Sequence, residues 1–104
     1  MSVILEFSMF PIGKGESVSP YVGRILKAID ASNVTYQMTP MGTIIETETL
    51  EQALNVAKEA YALLEPDCKR VYSSLKLDIR QGETNRLARK IESVESKVGK
   101  KIQT

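Results

Sequence analysis

A chain of 104 residues, 42% of them hydrophobic, has the length for one compact core and little surplus, so residues 1–104 read as a single domain. Its 14 basic and 13 acidic side chains nearly cancel, which removes the electrostatic argument for a nucleic-acid or anionic-membrane partner. With no histidine and one cysteine, a single chain cannot assemble the usual zinc or copper ligand sets, a Ser-His triad or a disulfide framework.

Residues 2–10, SVILEFSMF, alternate so that Val3, Leu5, Phe7 and Met9 share one face while Ile4, Glu6, Ser8 and Phe10 share the other, the pattern of a strand with a mixed outer face. In the following PIGKGES, Lys14 stands between Gly13 and Gly15. That spacing fits neither the Walker loop, G-x-x-x-x-G-K-S/T, nor the dinucleotide loop, G-x-G-x-x-G, which fails at Val18; the segment reads as a connector passing close to something. Ser19 is the expected N-cap of a helix with Pro20 at its first position, and Val22, Ile25, Leu26 and Ile29 follow at helical spacing. NVTYQMT and TIIETE, separated by PMG, read as two strands joined by a tight turn. The uncharged stretch Ala31 to Ile45 is broken by Asn33, Gln37, Pro40 and Gly42, so it cannot cross a bilayer as one apolar helix. No basic, apolar and small-residue leader pattern opens the chain, and a cytoplasmic location is expected.

From Thr49 onward the helical signal is clearest. Thr49 and Gln52 have capping-box spacing, Leu50, Leu54, Ala57, Tyr61 and Leu64 recur every three or four residues, and Pro66 closes the segment. Cys68, in EPDCKR, has basic neighbours but no histidine to activate it and reads as a bystander thiol. KRVYSSLKLDIR alternates, with Val71, Ser73, Leu75, Leu77 and Ile79 on the side expected to lie against the helices and Tyr72, Ser74, Lys76 and Asp78 on the other. After QGET, Leu87, Ile91, Val94 and Val98 mark a third helix ending at Gly99.

The order β-α-β-β-α-β plus a terminal helix predicts an α+β, ferredoxin-like sandwich: a four-stranded antiparallel sheet with both main helices on one face. The first and third strands are then central, which brings Glu6 and Ser8 near Ser74, Lys76 and one alternating set of GTIIETE. Either Thr43, Ile45 and Thr47 or Ile44 and Glu46 fit that set, because Ile44 and Ile45 make both faces apolar. A sheet face carrying Ile4, Phe10 and Tyr72 beside charges suggests stacking on another copy around a small pocket.

In order along nearly the whole chain, ILEFSMFPIG, SVSPYV, TPMGTIIE, RVYSSLKLDIR and KIESVESKV resemble the small thiamine-binding protein family with a ferredoxin-like fold. The resemblance rests on Pro11 to Gly13, the serine-rich run from Ser17 to Val22 with its Tyr21-Val22, Met41-Gly42-Thr43 with Glu46, and Arg70-Val71 leading to Lys76 and Asp78. It implies a non-catalytic protein that binds thiamine or its hydroxymethylpyrimidine moiety, needs no further cofactor and assembles as a dimer of dimers, a homotetramer, through sheet faces. Such a ligand needs flat apolar walls together with acceptors and donors for its ring nitrogens and amine. On that footing Glu6 and Glu46 supply negative charge, Ser8, Ser17, Ser19 and Thr43 supply hydrogen bonds, and Phe10 and Met41 supply walls. Gly13 and Gly42 admit the backbone to the ligand, and Pro11, Arg70 and Lys76 complete the candidate set.

Plainer readings stand beside these. Ser17 or Ser19 caps a helix, Glu6 pairs with Lys76 across strands, Arg70 opens a strand and Gly42 serves a turn. A second function class is a structural or regulatory oligomer that recruits a protein partner through its sheet face. RNA binding is disfavoured by 6% aromatics and a net charge of +1.

Overall fold

The computed structural model describes residues Met1–Thr104. It contains β1 (Ser2–Pro11), α1 (Ser19–Ala31), β2 (Thr35–Thr39), β3 (Gly42–Thr47), α2 (Leu50–Leu64), β4 (Val71–Arg80) and α3 (Arg86–Val98). The strands form one antiparallel sheet in the order β2-β3-β1-β4, so the fold is the expected ferredoxin-like α+β sandwich with β1 and β3 central.

The core is built on the odd face of β1. Val3, Leu5, Phe7 and Met9 are buried together with Ile45 of β3, Ile25 and Ile29 of α1, and Ala53, Ala57, Ala60 and Leu64 of α2. Pairing of Leu5 with Ile45 and Phe7 with Thr43 settles the register that the two isoleucines leave ambiguous: Thr43, Ile45 and Thr47 face the helices, Ile44 and Glu46 the opposite side. On α2 the buried stripe is one of small residues. Three alanines let the helix approach β1 closely, whereas Leu54 and Tyr61, expected inside, remain 44% and 42% exposed.

Helix ends follow local chemistry. α2 opens with the expected capping box: the Gln52 N–H donates to Thr49 Oγ1 at 3.2 Å, and the Thr49 N–H donates to Gln52 Oε1 at 3.1 Å. At α1 the expected cap is displaced. Ser19 is already helical, Val18 occupies the N-cap position, and the Ser17 hydroxyl accepts the Ser19 N–H at 3.4 Å. Pro20 at the helix start explains why no donor is lost there. α3 ends at Gly99 in the left-handed region, φ +84°, with its N–H bonded to the Glu95 carbonyl.

Arg24 clamps the two main helices at one end. Its guanidinium donates to both Asp67 oxygens at 2.9 Å, just beyond α2, and lies 4.9 Å from the centroid of the Tyr21 ring. Hydrogen bonding to Arg24 holds the Asp67 carboxyl at about 2, below its ordinary 3.8. A depressed carboxylate contributes stability that is complete above the unfolded value and lost as the pH falls from about 3.8 toward 2. Both side chains are 42% exposed, so solvent screening keeps that contribution small. In Arg24→Ala the Asp67 midpoint, followed by carboxyl NMR, should climb back toward 3.8; an unmoved midpoint would show that the clamp is open in solution.

β4 departs from expectation. Its odd face points to the helical layer but runs past it, leaving Leu75, Leu77 and Ile79 42%, 42% and 48% exposed rather than packed against helices. No helix is long and apolar enough to cross a membrane.

Candidate functional site

β1 outruns β3. The β1–β3 ladder stops at Phe7 opposite Thr43, while the β1–β4 ladder continues to Pro11 opposite Val71. From Ser8 to Phe10 the edge of β1 therefore has no strand beside it on the β3 side, and those main-chain N–H and C=O groups that do not point to β4 face a notch. The notch is walled on one side by α1, through Ser19, Val22, Gly23 and Leu26, and on the other by the β2–β3 hairpin from Met38 to Thr43. The cavity is about 510 Å³, within the range of about 300–1,000 Å³ typical of small-molecule pockets.

The hairpin that roofs this cavity has an unusual lock. Two-residue hairpin loops usually need positive φ, yet neither Pro40 nor Met41 has it. The Thr39 hydroxyl instead accepts the N–H groups of Met41 at 3.3 Å and Gly42 at 3.1 Å and donates to the Gly42 carbonyl at 2.9 Å. Gly42 is required for a different reason from turn geometry. A Cβ there would stand 2.9 Å from the Phe7 carbonyl oxygen, so only glycine lets the hairpin sit this close to β1.

The lining is neutral. Among its lining residues are Ser8, Ser19, Thr39, Thr43, Phe10 and the methionines Met38 and Met41, and none is charged. Met41 is 88% exposed and Met38 59%, which places both at the mouth rather than in the walls. Phe10 rests against Tyr72 of β4, with ring centroids 5.8 Å apart and planes tilted by 38°. A second, slightly larger and more open depression, about 540 Å³, lies among Asn33, Glu48, Gln52, Asn55 and Glu59; its hydrophobic lining residues are three, Met1, Val34 and Val56, and it has no aromatic one.

Of the sequence-derived candidates, the fold brings together Ser8, Phe10, Ser19, Met41, Gly42 and Thr43. The others lie outside the cavity lining. Glu6 and Lys76 stand directly opposite each other in the β1–β4 ladder and pair at 3.6 Å on the exposed sheet face. Pro11 is buried beside Val71. Gly13 takes φ +87° in the loop, Ser17 serves the start of α1, and the Arg70 carbonyl accepts the Ile12 N–H at 2.9 Å.

Glu46 has a structural use. Its carboxylate accepts the Ser2 hydroxyl and the N–H groups of Arg86 at 2.9 Å and Leu87 at 3.1 Å, capping α3 from a strand forty residues away. Asn85, at the N-cap position, provides no side-chain cap. The Arg86 side chain completes the joint, donating to the Ser2 hydroxyl at 3.0 Å, to the carbonyls of Ser2 and Asp78, and pairing with the Asp78 carboxylate at 3.0 Å. Burial pushes the Glu46 carboxyl up, but the Ser2 and backbone hydrogen bonds outweigh it and hold the group below its ordinary value. Among the lining residues that sequence reasoning passed over are Gly23, Leu26, Met38 and Thr39. A glycine inside the helical run YVGRILKAI was the available signal.

A chain of this fold, with a neutral notch between α1 and a Pro-Met-Gly hairpin, matches the model of the thiamine-binding protein family over residues 5–95. This chain belongs to the thiamine-binding protein family. Among curated relatives, a UPF0045 protein of Methanocaldococcus jannaschii is 36% identical over 92 residues, covering 88% of this chain and 91% of the relative. A UPF0045 protein of Methanothermobacter thermautotrophicus is 35% identical, covering 92% and 99%. The crystal structure of a hypothetical protein from M. jannaschii superposes with a TM-score of 0.79 at 35% identity, over 89% of this chain and 95% of that one. A Thermotoga maritima crystal structure, whose protein is described in terms of thiamine biosynthesis or salvage, has a TM-score of 0.71 at 22% identity, over 95% and 97%; at that identity it shows the shared fold.

Proposed function

We propose that this member of the thiamine-binding protein family is a non-catalytic binder that takes the hydroxymethylpyrimidine moiety, free or as part of thiamine, into the notch between α1 and the β2–β3 hairpin. The observation that carries this reading is the unpaired β1 edge from Ser8 to Phe10 inside a cavity with no charged lining. An aminopyrimidine is flat and neutral near pH 7, and its ring nitrogens and amine ask for the alternating donors and acceptors that a free strand edge presents. The hydroxyls of Ser19 and Thr43 add partners, and Val22 and Leu26 add apolar surface. A cationic thiazolium finds no carboxylate in the lining, so that half of thiamine points to the mouth, toward Met38 and Met41. The lining holds no acid, base or thiol, in keeping with binding rather than turnover.

Assembly belongs to the same reading. The sheet face bearing Glu6, Phe10, Tyr72 and Lys76 packs against other copies to give a homo-oligomer built as a dimer of dimers.

Thermal shift and calorimetry test the ligand. Hydroxymethylpyrimidine and thiamine should each raise Tm, with about 2.7 kcal/mol of stabilisation at a hundredfold excess over Kd, while the isolated thiazole fragment should not. Absence of any heat or shift from both pyrimidine compounds at millimolar concentration, with the protein folded, would remove the proposal.

A further inference from the structure

The hairpin that roofs the cavity is turned by a loop its own backbone does not favour. A two-residue loop follows strand twist best as a type I′ or II′ turn, and both need a positive φ at the first central residue. Pro40 occupies that place between Thr39 and Gly42, and a proline ring fixes φ near about −65°. Turns of the opposite hand splay the strands they join, so a further restraint is needed to hold Thr39 against Gly42. Packing does not supply it, because Met38 and Met41 are both exposed. The Thr39 side chain does. A hydroxyl has one proton and two lone pairs. In Thr39 the lone pairs take the N–H groups of Met41 and Gly42, and the proton goes to the Gly42 carbonyl. All three are committed inside the hairpin, so none remains for a ligand, although Thr39 lines the cavity.

We infer that Thr39 is a positioning residue for the cavity: its hydroxyl holds the hairpin in the shape that receives the ligand, and its loss weakens binding without removing any contact to the ligand. The inference rests on the reading of the cavity as the pyrimidine site. The path from hydroxyl to cavity is short. Thr39 pairs with Gly42 and Met38 with Thr43 in the β2–β3 ladder, and Thr43 forms the last rung with Phe7 of β1. Met38, Met41, Gly42 and Thr43 all line the cavity. Without the hydroxyl, the tip from Met38 to Thr43 samples other conformations. A ligand must then order those residues as it binds, and the entropy they lose is subtracted from its affinity.

Thr39→Val keeps a branched side chain and deletes the hydroxyl. Amide exchange in the free proteins reads the latch: the N–H groups of Met41 and Gly42 should be protected in the parent and in Thr39→Ser, and should exchange roughly tenfold faster in Thr39→Val. Calorimetry with hydroxymethylpyrimidine should give a Kd roughly tenfold higher for Thr39→Val, with a less favourable binding entropy, and a Kd close to the parent's for Thr39→Ser. A change of loop separates positioning from contact. Pro40→Asn with Met41→Gly gives an Asn-Gly loop of the same length, which forms a type I′ turn unaided. In that background Thr39→Val should no longer alter Kd, and this pair keeps the test decisive if Thr39→Val alone misfolds. An equal loss of affinity in both backgrounds would assign the hydroxyl to ligand contact and overturn the inference. So would unprotected Met41 and Gly42 N–H groups in the parent, or an unchanged Kd in Thr39→Val beside normal binding by the parent. A parent that bound neither pyrimidine compound would overturn the cavity reading, and this inference with it.

Discussion

Replacing Gly23 by leucine should abolish the rise in Tm produced by hydroxymethylpyrimidine while leaving the free protein at least as stable as before. Gly23 lies inside α1, where glycine costs about 0.5–1 kcal/mol relative to alanine. Its own chain gives no reason for that cost. Its φ is not in the left-handed region, and a Cβ built on it would meet nothing within 4 Å. What the missing side chain leaves is space at the cavity wall. Leucine is a good helix former and its four side-chain carbons would occupy that space, so the helix should hold and the site should close. Gly23→Ala separates the two effects. It should raise stability by about 0.5–1 kcal/mol and weaken binding far less than leucine does. If Gly23→Leu bound the pyrimidine as the parent does, the ligand would have to lie elsewhere.

Glu46→Ala should loosen α3 from the sheet without altering the ligand-induced shift. The carboxylate is the common acceptor for the Ser2 hydroxyl and the first two N–H groups of the helix. Its removal strands those donors and unbalances Arg86, at a cost of about 1–3 kcal/mol. Amide exchange should locate the loss: residues 86–98 should lose protection while the strands keep theirs. Acid should act in the same direction on the parent protein. Because the folded carboxyl lies below its ordinary 4.5, its contribution is complete above that value and is lost as the pH falls through the folded value. Retained protection across α3 in Glu46→Ala, or a ligand shift that vanished with it, would contradict the capping role.

These two residues mark what the sequence discloses and what it withholds. Alternation along β1, the Thr49 and Gln52 capping box and the Gly99 stop are local signals, and the elements they announce are all present. The strand order follows from crossover handedness once those elements are known. The resemblance casts Glu46 as a ligand residue, and nothing local points to its structural partners, Ser2 and Arg86, because they are some forty residues away on either side and pairing at that separation leaves no periodic trace. The α2 stripe misleads for a related reason. Leu54 and Tyr61 carry the stronger hydrophobic signal, but close approach to β1 selects the smaller Ala53, Ala57 and Ala60. The candidate site was legible in part, through Ser8, Phe10, Ser19 and the Met41-Gly42-Thr43 turn. The rest of it depends on where β3 stops, and strand ends are the least determined part of a sequence pattern.

That stopping point makes the dimensions of the hollow a matter of counting. Four residues of β1, Ser8 to Pro11, extend beyond the last rung shared with β3, a length of roughly 14 Å. Two more residues on each arm of the hairpin would carry the ladder over Ser8 and Met9 and replace the void with main chain. Two fewer would widen it. In this architecture the size of the hollow can thus drift by insertion and deletion at one exposed loop, with every core side chain left as it is.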